Sequence, residues 1–278
     1  MTSAPLQAHP AFAPFLRWLA PDSFAAHPPH TDLDATARAA GLRVAGGMPL
    51  RFVAASARRE SAQDYERRIA ERGEIAVRAG SLHDFCNALA WLAFPRTKAA
   101  LNAVHVAAQP GSAAGTRPRA RDAATLLDES GMLVACADAR LLQRWDARDW
   151  RAAFGDLVAT PAAPLRAAAI GHGLLAKCVR PYPALTAHAL VLPMPASRLP
   201  AEPEAFAAAL DAAAARWIAE AGATWSPASL RPLPLAALPG WDRAASGAAR
   251  FDDASVFRPR PPRSLAQPAA PTSAVMLR

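Results

Sequence analysis

Lysine is nearly missing: only Lys98 and Lys177 occur among 31 basic residues, so arginine carries almost all of the positive charge. That bias, with the alanine that fills much of a 52% hydrophobic fraction, follows a GC-rich coding sequence, and little about folding is read from it. Cysteine is scarce too. Cys86, Cys136 and Cys178 are odd in number and far apart, with no CxxC and no histidine at ligand spacing, which excludes a disulfide framework or zinc finger and leaves three reduced core thiols. No run of roughly 18 apolar residues is free of charge and proline, so no membrane span is expected. No basic stretch precedes an apolar one at the start, so export is not expected either, and a bacterial cytoplasmic protein is. P-loop, GxSxG and SxxK patterns are missing, no two ligand candidates stand in an HxH, HxxxH or DxD pattern, and no internal repeat is visible. Serine acyl transfer is thereby poorly supported.

What remains is a chain of 278 residues, enough to bury a substantial core. It reads as a single globular domain over residues 1–258, followed by a disordered tail rich in proline, alanine and serine over 259–278. The net charge of +8 is spread thinly, with one exception. Between Arg96 and Arg121 the basic residues Arg96, Lys98, Arg117, Arg119 and Arg121 occur without an acidic one. A positive stripe of this kind suits nucleic acid or another polyanion.

The elements alternate irregularly, and the pattern predicts an α+β fold: helix-rich, with a small, mostly antiparallel sheet. Phe12, Phe15, Leu16, Trp18 and Leu19 predict a short packed helix, and Thr31 to Leu42 a second one that stops at Gly41. Alternation over Met48 to Ala55 predicts a strand, Gln63 to Arg72 a helix closed by Gly73, and Glu74 to Arg78 a short strand. Ser81, with Asp84 three residues on, starts a central helix that Pro95 interrupts and that resumes to Ala107. Gln109 to Pro118 reads as a loop. The two apolar runs around Glu129-Ser130-Gly131 predict a β-hairpin over 124–136. Helices are then expected over Ala139–Phe154, Ala167–Val179 and Glu202–Ala221, and a strand over Leu185–Pro193.

The polar residues that do chemistry gather between Ser81 and Gly131. His83 and Asn87 are one helical turn apart, and Lys98, Asn102 and His105 follow four-and-three spacing, so two polar stripes meet at the proline break and can line one cleft. With acids from Asp122 and the Asp128-Glu129 turn, the set suits a divalent metal held by His83, His105, Asp122 and Asp128. Glu129 is the candidate general base, Arg121 and Lys98 meet the anionic group of the substrate, and Asn87, Asn102, Arg117 and Arg119 bind the rest of it. The reaction expected is metal-dependent hydrolysis of a phosphate-containing or other anionic substrate. Two alternatives stay open: a non-catalytic module for nucleic acid or polyanions, and a purely architectural motif in which His83 and Asp84 cap a helix, the asparagines satisfy loop backbone and the Asp128–Gly131 turn is a solvated tip. His172, between Gly171 and Gly173, is a lone general-base candidate without a nucleophile. Cys86 lies one turn after His83 but within the apolar pattern of Phe85 and Leu89, where a core thiol is expected.

A resemblance spans roughly residues 12–260. Tyr65-Glu66 with Ile69, Gly73 and Arg78, then HDFCNALAWLAFPRTKAALN (His83 to Asn102), His105, RARDAATLLDESG (Arg119 to Gly131), GHGLLAK (Gly171 to Lys177), LPGW (Leu238 to Trp241) and VFRP (Val256 to Pro259) resemble a family of proteobacterial proteins known only as a domain of unknown function. This chain has Ala176 where the family pattern often has an acid. The resemblance implies one continuous domain and brings no activity with it.

Overall fold

The computed structural model describes residues 9–259 except 21, 58–59, 109–117, 158–159, 161, 223 and 242–247. A 3-10 segment, Pro10–Trp18, leads, with Phe12 and Phe15 wholly buried. There follow α1 (Ser23–Ala26), α2 (His30–Ala39), β1 (Arg51–Ala54), α3 (Ala62–Arg72), β2 (Glu74–Val77), α4 (Leu82–Ala93), α5 (Pro95–Ala107) and α6 (Pro118–Ser130). The second half holds β3 (Gly131–Cys136), α7 (Ala139–Asp146), α8 (Trp150–Phe154), β4 (Leu165–Ala169), α9 (His172–Cys178), β5 (Thr186–Leu192), α10 (Pro203–Ala221) and β6 (Arg231–Pro234).

The fold is α+β. Four strands form a sheet in the order β4-β3-β5-β6, antiparallel at β3/β4 and β5/β6 and parallel at β3/β5. Its middle strand β3 is buried at every residue, which is why GMLVAC is an unbroken apolar run rather than an alternating one. A second, two-stranded parallel sheet pairs Phe52 of β1 with Ile75 of β2. One buried apolar cluster runs through the molecule from Ala11 to Phe257.

Several expectations are corrected. The hairpin over 124–136 does not form: its first half is the end of α6, and the chain passes from Ser130 directly into β3. Ala120, Ala123, Ala124 and Leu127 are buried at helical spacing, a stripe that small side chains make faint in the sequence. The turn needs Gly131, since a Cβ there would lie 2.0 Å from the Leu127 carbonyl oxygen. The helix expected over Ala167–Val179 is instead strand β4 followed by α9, because Ala167 and Ala168 pair with Val134 and Leu133 of β3. The helix over Ala139–Phe154 is two, α7 and α8, divided at Arg148 with φ of 61° and recapped by Asp149. The opening apolar segment is a short packed helix as expected, of 3-10 type. The loop over 109–117 and the tail over 260–278 lie outside the described residues.

The proline break is as expected. Helix α4 ends at Ala93 and α5 begins with Pro95, whose missing N–H belongs to a helix start anyway. Asp211 of α10 accepts from the backbone N–H groups of Arg96 (3.1 Å) and Thr97 (2.7 Å), which anchors the start of α5 from another part of the chain. This break aims α5 across α3 and α6 while α4 packs on α9.

Candidate functional site

Helices α3, α4, α5, α6 and α9 wall a cleft of about 970 Å³. Its first corner is the start of α4. Ser81 Oγ accepts from the Asp84 N–H at 3.2 Å, and the Asp84 carboxylate accepts from Arg78 three times, from the backbone N–H, Nε and Nη2 at 2.9, 2.8 and 2.7 Å. The same carboxylate lies 3.3 Å from His83 Nδ1. Burial alone would raise the Asp84 pKa, but the Arg78 and His83 donors prevail and hold it well below the carboxylate range.

The second corner joins α6 to α9. Glu129 lies between two imidazoles, with Oε1 3.3 Å from His172 Nε2 and Oε2 3.8 Å from His83 Nε2. The rings stand edge to face at 90° with centroids 4.5 Å apart. On its other side, His172 Nδ1 faces Asp128 Oδ2 at 3.7 Å and is buried without a hydrogen-bond partner. Each histidine thus turns one nitrogen to Glu129 and the other to a different carboxylate. The imidazoles of His172 and then His83 beside it hold the Glu129 carboxyl far below its ordinary range, while Asp84 and then Glu129 raise His83 to about 9. Two glycines let the helix ends meet. A Cβ on Gly171 would be 2.2 Å from the Gly131 nitrogen, and one on Gly173 would be 2.7 Å from Glu129 Oε2. Glu129 also stands in the last turn of α6, where the helix dipole disfavours an anion, so its placement there is offset by the imidazoles rather than by its own helix.

A polar spine lines the floor. Lys98, with its side chain 4% exposed, pairs through Nζ with Asp128 and donates to Asn87 Oδ1 at 2.9 Å. Asn87 Nδ2 in turn donates to the Tyr65 hydroxyl at 3.1 Å. Asn102 Nδ2 donates to the Glu66 carbonyl and to Glu66 Oε2, at 2.9 and 2.7 Å. Burial raises the Glu66 carboxyl to about 7, against the opposing bond from Asn102.

Of the residues expected at the site, His83, Asn87, Lys98, Asn102, His105, Asp128 and Glu129 line this cleft together. Arg121 lines a smaller adjoining pocket with Glu66 and His105. Asp122 and Arg119 are exposed on α6 and line neither, and Arg117 lies outside the described residues. The four residues expected to share a metal are not one cluster. Among the described residues, the group whose ligand atoms all lie within 4.8 Å of one another is His83, Glu129 and His172. Asp128 is engaged by Lys98, and burial depresses the pKa of His105. Sequence reasoning missed His172 as a partner of His83, and its flanking glycines were the signal, since they mark a close approach rather than a loose helix. Cys86 is fully buried and its thiol is pushed up to about 12, first by burial and then by Cys178, so it is no nucleophile. Lys98 is buried while Arg96 and Arg121 are exposed, so the basic run is not one surface stripe.

No helix among the described residues is long and apolar enough to cross a membrane. No curated protein and no solved structure matches the chain. Residues 50–261, which include every side chain of the cleft, match the model of the family described as Protein of unknown function (DUF3025), and the chain belongs to that family.

Proposed function

We propose that the protein is a divalent-metal-dependent hydrolase in which His83, His172 and Glu129 hold the ion. One observation carries the reading: two imidazoles turn Nε2 toward a shared carboxylate while each Nδ1 faces a further carboxylate, Asp84 or Asp128. Metal-binding histidines characteristically have such an outer carboxylate, which fixes the tautomer and makes the ligand nitrogen more basic. Two histidines and a glutamate leave a fourth position open, as catalytic zinc sites do. A bound divalent ion supplies there a water of lowered pKa and a Lewis acid for a carbonyl or phosphoryl oxygen. Around it, Arg78 locks Asp84 and Lys98 locks Asp128, so that each histidine is held by an anchored anion. Glu129, expected as a general base, takes the ligand role in this reading.

The test is metal analysis of protein purified without chelator, with a thermal-shift series in zinc, manganese, magnesium and nickel. At a hundredfold excess over Kd a ligand of the folded state stabilises by about 2.7 kcal/mol. For a chain of this size that is a shift of about 5–10 °C. Ligand nitrogens must lose their protons, so the response is expected to weaken as pH falls below the value of about 9 at which His83 titrates. No bound metal and a flat response to all four ions would remove the reading. One observation favours the architectural alternative, namely that Tyr65, Asn87, Lys98 and Asp128 satisfy one another. His172→Ala separates the two: an architectural histidine costs about 1–3 kcal/mol and leaves metal response unchanged. A ligand histidine abolishes that response.

A further inference from the structure

We infer that the cleft receives a positively charged group of its substrate, an ammonium or guanidinium, against Glu66, so that the compound hydrolysed is a small cation rather than a phosphate ester. The inference rests on the hydrolase reading only in treating the cleft as a substrate site. It begins with charge. With His83 deprotonated, as metal binding requires, seven carboxylates and three cations line the cleft, the reverse of a chain whose net charge is +8. A divalent ion at the histidines offsets only half of that difference.

The three cations are engaged. Arg68 pairs with Glu60 at 2.7 Å, Arg78 with Asp84 at 2.7 Å, and Lys98 with Asp128. An incoming phosphate or carboxylate would meet cations already neutralised by these pairs and would face the unbalanced acids. Arg121 lines only the adjoining pocket.

Glu66 is the acid left over. Glu129 has the imidazoles, Asp64 has Arg67 at 3.0 Å, and Glu74 lies by Arg68, whereas Glu66 is hydrogen-bonded by the Asn102 amide and has Lys98 and Arg121 near it without an ion pair to either. The amide orientation is fixed, because a flipped Asn102 would turn its oxygen onto two Glu66 oxygens. Asn102 is 97% buried by its 3% exposure, and its Oδ1 has no donor. This end of the cleft therefore sets a carboxylate without an ion pair beside an amide oxygen without a donor, the complement of a cation bearing several N–H groups. The high pKa of Glu66, caused first by burial, is what a carboxylate short of a counter-charge shows, and a bound ammonium would lower it.

Calorimetry with cadaverine and glutarate, a diammonium and a dicarboxylate of the same chain length, tests this on the whole protein, both as purified and after chelator treatment. Cadaverine is expected to bind at least about tenfold more tightly than glutarate, and Glu66→Gln, which keeps the Asn102 contact, to weaken cadaverine by about tenfold. Equal or reversed preference, no binding of either probe, or an unchanged cadaverine affinity in Glu66→Gln overturns the inference. Diamine preference in a preparation that binds no metal upholds it while removing the metal reading, so the two failures are distinct.

Discussion

Lys98→Met removes one ammonium from the centre of the polar spine and leaves its methylenes packed. Lys98 Nζ pairs with Asp128, donates to Asn87 at 2.9 Å and lies 5.5 Å over the Trp91 ring. Removing one partner of a buried ion pair costs about 3–5 kcal/mol, chiefly because the other charge stays buried. The Asp128 side chain keeps 20% exposure, so the lower half applies, about 3–4 kcal/mol with the lost Asn87 bond included. Urea unfolding followed by tryptophan fluorescence measures it, and the melting point should fall by about 6–16 °C. The pH dependence has a definite sign. Burial pushes the Asp128 carboxyl up, Lys98 and His172 more than reverse this, and its folded pKa lies below the ordinary value. The native pair therefore stabilises above the unfolded pKa of about 4 and loses that contribution as pH falls. Without Lys98 the same carboxyl favours its proton, so the gap between variant and wild type should narrow toward pH 4. Lys98→Met/Asp128→Asn, which removes the stranded charge, should recover about half of the loss. A single-variant cost below about 1 kcal/mol, or a double variant no more stable than Lys98→Met, would refute the ion-pair account.

Two further outcomes are expected. Gly173→Ala sets a methyl where only 2.7 Å separates it from Glu129 Oε2, so it should push that carboxylate off the histidines and abolish metal-induced stabilisation; thermal shift with and without metal reads this, and an unaltered metal response would show that Glu129 need not stay where it is. Glu66 titrates at about 7 in the fold, above its ordinary value, so its contribution to stability is complete below about pH 4 and is lost as pH rises through 7. Glu66→Gln should remove that decline, on the order of 2 kcal/mol between pH 4.5 and 8 in urea titrations, and parallel curves for the two proteins would show the carboxyl to be ordinary.

Much of the local structure was legible because it obeys short-range rules. Ser81 caps α4, Gly73 with φ of 69° closes α3, Pro95 opens α5, and the alternation of Leu50 and Phe52 buries the inner side of β1. The two polar stripes across Pro95 do line one cleft, because helical spacing fixes which side chains share a face. What failed was reading where tertiary partners override such rules. Ala167 and Ala168 have good helix propensity, yet they pair in a sheet because β3 offers them an edge. Asp128-Glu129-Ser130-Gly131 has the composition of a turn, yet it ends a helix whose alanine stripe is buried under neighbouring elements.

The sequence by itself determined the helix-rich α+β composition, the lack of a disulfide framework or long apolar span, and which of its stretches carry the polar chemistry. Only the tertiary structure decided which of those polar groups meet. His172 lies 43 positions beyond Glu129 in sequence and is brought to it by two glycines that let helix ends touch, and Asp122 is turned away while its neighbours on α6 face the cleft. Spacing along one helix is set by covalent geometry and can be counted in the chain. Contact between helices is set by packing, and no count along the chain contains it.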